Sequence, residues 1–212
     1  IFDSYSCRDK KGTHKAVERL NIFLKKVSKN NTRRTYVLKC DVKKFFDSVG
    51  QDILMELVRM KIKDTEVVWL LETIIQSFAK GLPLGNVVSQ LFSNIYLNEL
   101  DQFIKHILKV KYYIRYCDDF VMVEKGTEQF GHYIKGIECF LENKLKLTLH
   151  PNKIIVRKYH QGIDFLGYVS FPHHKIVRIK TKNRMLKNMR AKVAALKSKG
   201  ISDDLFNKTL QS

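Results

Sequence analysis

Two carboxylates, Asp118 and Asp119, stand side by side in an otherwise apolar and aromatic run, Tyr112-Tyr113-Ile114-Arg115-Tyr116-Cys117-Asp118-Asp119-Phe120-Val121-Met122-Val123. The residues on either side read as two short strands. Side chains alternate faces along an extended strand, so neighbouring aspartates reach one point only where the backbone turns. Asp accepts turn geometry better than most residues, and a hairpin with Asp118 and Asp119 at its tip is the economical reading. Two carboxylates at one tip repel each other unless a cation sits between them. Hard oxygen ligands, in a chain whose charge of +18 suits it to phosphates, point to magnesium. A solvated Asp-Asp turn is the alternative that these residues alone leave open.

A third carboxylate stands at the end of another predicted strand, Tyr36-Val37-Leu38-Lys39-Cys40-Asp41-Val42. Between it and the hairpin lie two helical stretches, from Gln51 and from about Asp64 to Ala79, then a loop, Lys80 to Asn86, and a long helix from Ser89 through Leu108. Two glycines and a proline make that loop. Ser48 with Gln51 resembles a capping box for the first of the helices. After the hairpin, Phe130, Ile134, Ile137, Leu141 and Leu145 mark another amphipathic helix, and Lys153 to Tyr159 and Asp164 to Phe171 read as strands. Ahead of all this, Val17, Leu20, Phe23, Leu24 and Val27 form a helical stripe after Gly12-Thr13.

Strand, helices, hairpin, helix, strand is the order of a small antiparallel sheet with helices packed on one face, an α+β layer of the split βαβ kind. In that layout Asp41 joins Asp118 and Asp119. The three would surround a space for two cations roughly 3.5–4 Å apart, the arrangement that serves in-line phosphoryl transfer.

The 39 Lys and Arg against 21 Asp and Glu imply a polyanionic partner, and 11% aromatic residues argue against a disordered basic tail. No apolar run has the length of a membrane span or the flanks of a signal peptide, so no membrane partner and an intracellular, cytoplasmic location are expected. Cys7, Cys40, Cys117 and Cys139 lack zinc-ligand spacing and are expected to be free buried thiols. His173-His174 reads as a polar turn. The chain begins at Ile1 without Met and is expected to be a piece of something longer.

DVKKFFD around Asp41, GLPLGNVVSQLFSNIYLNEL from Gly81, YCDD at Tyr116 and FLGY at Phe165 occur in the order of the palm motifs of reverse transcriptases. Across nearly its whole length the chain resembles that family, most of all the bacterial or phage-encoded enzymes of diversity-generating retroelements, with group II intron and retron enzymes as near relatives. The resemblance implies a palm over 36–175 with a finger-like helical insertion at about 51–80, partial fingers over 1–35, and the start of a basic helical thumb over 176–212. It implies an RNA template, a DNA or RNA primer, dNTPs, an accessory protein subunit, and two magnesium ions, for which manganese can substitute. Asp41, Asp118 and Asp119 match the metal-binding carboxylates, and the Val42 carbonyl is implied as a further ligand.

Phe46 matches a steric gate that excludes a ribose 2′-hydroxyl by clash. Lys153 matches the lysine that protonates departing pyrophosphate, with a solvated lysine as the alternative. Leu84, Gly85 and Gln90 lie in the loop that approaches the incoming nucleotide, and Arg8 and Lys11 are implied to touch template or triphosphate. Phe165, Leu166, Gly167 and Tyr168 match the primer grip, and Lys182, Arg184, Lys187 and Arg190 lie on a basic helix, Lys182 to Lys199, suited to duplex phosphates. The common family pattern has Gln before the second glycine and Ser-Pro at the helix start. This chain has Leu84-Gly85 and Ser89-Gln90, as the diversity-generating group does, which implies low fidelity, mainly at template adenines. A group II intron-type enzyme, a phage-defence enzyme that works without a template, and a non-catalytic nucleic-acid binding relative are the alternatives.

Overall fold

The computed structural model describes residues 2–198, so the part of the expected thumb at 199–212, Lys199 included, lies outside the described residues. In chain order the elements are α1 (Thr13–Val27), β1 (Tyr36–Asp41), α2 (Phe45–Ser48), α3 (Gln51–Lys61), α4 (Thr65–Gln76), α5 (Val87–Gln102), β2 (Tyr113–Tyr116), β3 (Asp119–Glu124), α6 (Phe130–Phe140), β4 (Ile155–Lys158), β5 (Ile163–Phe165), β6 (Tyr168–Ser170), β7 (Lys175–Val177) and α7 (Ile179–Ser198). Wider π turns, Phe103–Ile107 and Leu141–Leu145, extend α5 and α6.

The main sheet has strand order β2-β3-β1-β4 with every neighbour antiparallel. β1 and β2 run in the same direction with β3 between them, which is the split βαβ arrangement. Alternation sorts the strands into two faces. Leu38, Cys40, Tyr113, Phe120 and Met122 turn into the larger core with Leu54, Phe92, Tyr96 and Ile137 from the helices. Val37, Ile114, Val121 and Val123 turn the other way, onto Val17, Leu20 and Leu24 of α1. Each such fully buried side chain contributes about 1.5–3 kcal/mol. The helices thus pack on one face as expected, and α1 covers part of the other.

Several local expectations are corrected. Gly50, not Ser48, precedes α3 without a side-chain cap; Gln51 instead donates to the carbonyls of Phe78 and Gly81 at 3.0 and 3.3 Å. The long-range bonds that close the Gly81 loop outweigh the local cap. α4 is shorter than expected, capped by Asp64, whose carboxylate accepts the Glu66 and Val67 amides. The stretch Asp164 to Phe171 is a hairpin rather than one strand, because Leu166 and Gly167 both take left-handed φ, 51° and 86°. With β7 it forms a second sheet, order β5-β6-β7. Of the cysteines only Cys40 is fully buried; Cys117 is half-buried, and Cys7 and Cys139 are exposed because they fall on the outer sides of a loop and of α6.

Candidate active site

Strand pairing alone brings Asp41 and Asp119 together: they are opposed residues at the end of β1 and the start of β3, so their Cβ atoms lie on one face roughly 4.5–5.5 Å apart. Asp118 precedes in the turn, and its carbonyl accepts the Val42 amide at 3.2 Å, tying the turn to β1. Val42 itself is buried and bridged to Leu149. The hairpin tip lies one residue earlier than expected, at Cys117 and Asp118, with Asp119 opening β3. Cys117 takes the left-handed φ of 54° that the sequence suggested an Asp would take. Its carbonyl accepts from Arg115 Nη1 at 3.0 Å and its Sγ lies 3.8 Å from Ser93 Oγ, contacts that offset the conformational cost.

Two lysines meet these carboxylates. Lys39, on the same face of β1 two residues before Asp41, donates to Asp119 Oδ2 at 3.0 Å. Lys153, at the end of the 3-10 turn Pro151–Lys153, donates to both Asp41 oxygens at 3.0 Å. Asp119 Oδ1 is buried with no hydrogen-bond partner. Burial pushes the Asp119 carboxyl up to about 6, outweighing the opposing Lys39 ammonium, and Asp41 and Asp118 push the same way. Asp118 is also raised, first by burial and then by Asp41, and burial pushes the Cys117 thiol up to about 11.

Among the described residues no group of three or more His, Cys, Asp or Glu side chains is gathered tightly enough to hold a metal ion. Lys39 and Lys153 hold Asp119 and Asp41 where a cation would draw the carboxylates together. The donor set fits a hard divalent ion all the same. It is all oxygen, and one of its oxygens is buried and unpaired.

The Gly81 loop docks on Phe46, five residues after Asp41. Leu82 donates its amide to the Phe46 carbonyl at 2.7 Å, and Gly81, at φ 54°, approaches so closely that a Cβ there would lie 2.2 Å from that oxygen. Phe46 is half-buried, its ring edge-on to Phe45 at 5.2 Å. Leu84 and Gly85 are exposed, Asn86 caps α5, and Gln90 is half-buried in its first turn. Arg8 is exposed and donates to the Ser4 carbonyl at 3.0 Å. Lys11 lies 3.7 Å over the Phe2 ring.

The β5–β6 hairpin reaches the carboxylates through Lys39, whose ammonium also donates to the Asp164 carbonyl at 3.4 Å and lies 5.9 Å from the buried Phe165 ring. Leu166 and Gly167 form its turn. Tyr168 Oη lies 3.1 Å from His14 Nε2, and Thr13 Oγ1 donates to Tyr116 Oη at 3.3 Å, so the first turn of α1 links the two hairpins. Lys182, Arg184, Lys187 and Arg190 are exposed along α7 and, among the described residues, form no ion pair with the three carboxylates.

Sequence reasoning missed Lys39, Asp101 and Arg115. Two-residue alternation from Asp41 could have found Lys39. Nothing local marks Asp101 as the partner of Arg115.

A family model described as reverse transcriptase (RNA-dependent DNA polymerase) matches residues 1–170. The chain belongs to the reverse transcriptase family. Members of this family use divalent metal ions. Protein YkfC of Escherichia coli K12 is 29% identical over 218 residues, spanning 82% of this chain and 55% of YkfC. The group II intron-encoded protein LtrA of Lactococcus lactis subsp. cremoris is 24% identical over 217 residues, spanning 68% of this chain and 36% of LtrA. The chain therefore spans about half the length of the one and about a third of the other. A solved telomerase from Candida tropicalis, in complex with a TWJ fragment of telomeric RNA, aligns with a TM-score of 0.63 over 84% of this chain and 34% of its own, at 14% identity, a likeness of fold. Among the described residues no helix is long and apolar enough to cross a membrane.

Proposed function

We propose that this chain is the core of an RNA-directed DNA polymerase, extending the 3′ end of a DNA or RNA primer with dNTPs along an RNA template inside the cell. What carries the reading is the pairing of Asp41 with Asp119 beside Asp118 at one end of the two central strands, β1 and β3. Asp41, Asp118 and Asp119, with the Val42 carbonyl, would hold two magnesium ions. When bound, such ions lower the pKa of an attacking hydroxyl and stabilise charge on the phosphoryl group and leaving oxygen.

The chain's own residues have separate tasks in this reading. Lys153, already beside Asp41, gives a proton to departing pyrophosphate. Phe46 lies under the sugar and excludes a 2′-hydroxyl, while Leu84, Gly85 and Gln90 flank the base pair and Arg8 the triphosphate. Phe165, Leu166, Gly167 and Tyr168 hold the primer end, and Lys182, Arg184, Lys187 and Arg190 follow duplex phosphates. The palm then covers 36–175 with its insertion at about 51–80, between partial fingers at 1–35 and a thumb beginning at 176.

The finer reading is low-fidelity cDNA synthesis of the diversity-generating kind, with an accessory subunit. It is supported by Leu84, 77% exposed and unable to offer a hydrogen bond where the common pattern has Gln. A group II intron-type enzyme is the second reading, favoured by the likeness to LtrA.

The test is Asp118→Asn assayed for primer extension and for duplex binding. Extension falls roughly a thousandfold, about 4 kcal/mol, while duplex binding survives. Equal loss of both would overturn the reading.

A further inference from the structure

The end of the sheet opposite the carboxylates carries a basic cleft. β1 and β4 meet there at Thr35 and Tyr159, whose carbonyl and amide are joined at 2.9 Å. From Thr35 to Asp41 the strand advances roughly 20 Å at about 3.3 Å per residue, so this end is remote from the catalytic centre. Two adjoining cavities of about 350 and 220 Å³ open here and share Tyr159 and Pro172.

The cleft has a built rim. Asn31 Nδ2 donates to the Pro172 carbonyl at 2.7 Å, and Tyr159 Oη donates to the Phe171 carbonyl at 3.0 Å. Lys29, Asn30 and Asn31 all hold left-handed φ, a costly run that wraps the segment after α1 toward Pro172. Lys25, Arg33, Arg34, His160, His174 and Lys175 line the cavities, and no Asp or Glu does. All six are exposed, and none enters an ion pair among the described residues. His174 lies flat on Phe171, centroids 4.8 Å apart and planes 16° from parallel.

We propose that this cleft binds single-stranded RNA at a site separate from the catalytic centre. Like charges gathered without counter-charge repel one another, and a polyanion relieves that cost by exchanging its condensed counterions for fixed cations. An acidic peptide would supply charge but no use for a stacked, exposed ring. A nucleobase has a flat face that continues the Phe171–His174 stack, while its phosphates meet Lys25, Arg33, Arg34 and Lys175. That the strand is RNA rests on the polymerase reading: template not yet copied, or already copied, is single-stranded RNA held by the same protein.

The test uses the 212-residue chain saturated with a short primer–template duplex and titrated with a fluorescent oligouridylate of about 10 nucleotides. We expect anisotropy to report salt-sensitive binding to the duplex-loaded protein. Arg33→Gln/Arg34→Gln/Lys175→Gln lowers that affinity at least about tenfold and flattens the dependence of log K on log salt by about 2, the loss of three single-strand phosphate contacts. His174→Ala weakens it about fivefold or more. All four substitutions are on exposed side chains, and a thermal melt confirms that the variants fold. Displacement of the oligonucleotide by duplex, or parental affinity in the triple variant, overturns the proposal. Failure of the duplex to bind at all counts against the polymerase reading instead, and the oligonucleotide titration still decides the cleft.

Discussion

Asp101 and Arg115 face each other in a two-pronged ion pair, Nε and Nη2 each 2.7 Å from a carboxylate oxygen, with both side chains 1% exposed. The pair joins α5 to β2 and is fully served: Tyr113 Oη donates to Asp101 at 2.7 Å, and Arg115 also reaches Ser4 Oγ and the Cys117 carbonyl. Arg115 therefore holds the turn from which Asp118 projects. Burial tends to discharge the guanidinium, yet Asp101 keeps it charged by raising its pKa beyond the usual arginine range.

Breaking this pair from one side strands a charge in the core. Asp101→Leu and Arg115→Met each cost about 3–5 kcal/mol, read as a lower urea midpoint. Removing both at once costs less than the sum, because no uncompensated charge remains. Additive losses would mean that the two side chains act independently.

Gly81 and Gly85 share a left-handed backbone, φ 54° and 83°, but differ in surroundings. A Cβ on Gly81 would meet the Phe46 carbonyl at 2.2 Å, whereas one on Gly85 meets nothing within 4 Å. Gly85→Ala therefore costs only the conformational preference, about 1–2 kcal/mol. Gly81→Ala costs more than that, since backbone must also shift and the Leu82–Phe46 hydrogen bond is lost. In the polymerase assay it raises the KM for dNTPs, and Gly85→Ala raises it less. The reverse order would show that the loop does not dock on Phe46 in solution.

The β1 and hairpin placements were legible because two-residue alternation and a carboxylate pair between apolar runs leave few ways to fold. That reasoning also foresaw Asp41 beside Asp119. It failed where distant groups decide local geometry: Arg115 lets Cys117 hold the strained turn position, and Gln51 leaves the cap of α3 for the Gly81 loop. It failed again at Leu166, where a non-glycine residue with positive φ splits the FLGY stretch into a hairpin. Asp101 gave no local sign, since a carboxylate in an amphipathic helix ordinarily faces water.

Leu84 is 77% exposed at the loop tip, so exchanging it for Gln adds a hydrogen-bonding group with little cost to packing. We expect Leu84→Gln to lower misincorporation severalfold, most at template adenines, in sequenced cDNA. An unchanged error spectrum would count against the low-fidelity reading while leaving the polymerase reading intact.

Lys39 donates to Asp119 Oδ2 at 3.0 Å while Oδ1 is buried without a partner, so in the two-metal reading the ammonium competes with a divalent ion for the charge of one carboxylate. Lys39→Met removes the ammonium while keeping an unbranched stem of similar length. Metal-free, the variant leaves the Asp119 carboxylate less compensated, and its Tm falls. Adding manganese should then raise its Tm by more than it raises the parent's, because binding to the folded form no longer displaces a resident cation. Lys39→Arg keeps the charge and should restore the smaller shift. A manganese shift in Lys39→Met smaller than in the parent would assign Lys39 the opposite task, that of holding Asp119 in the geometry that the metal needs.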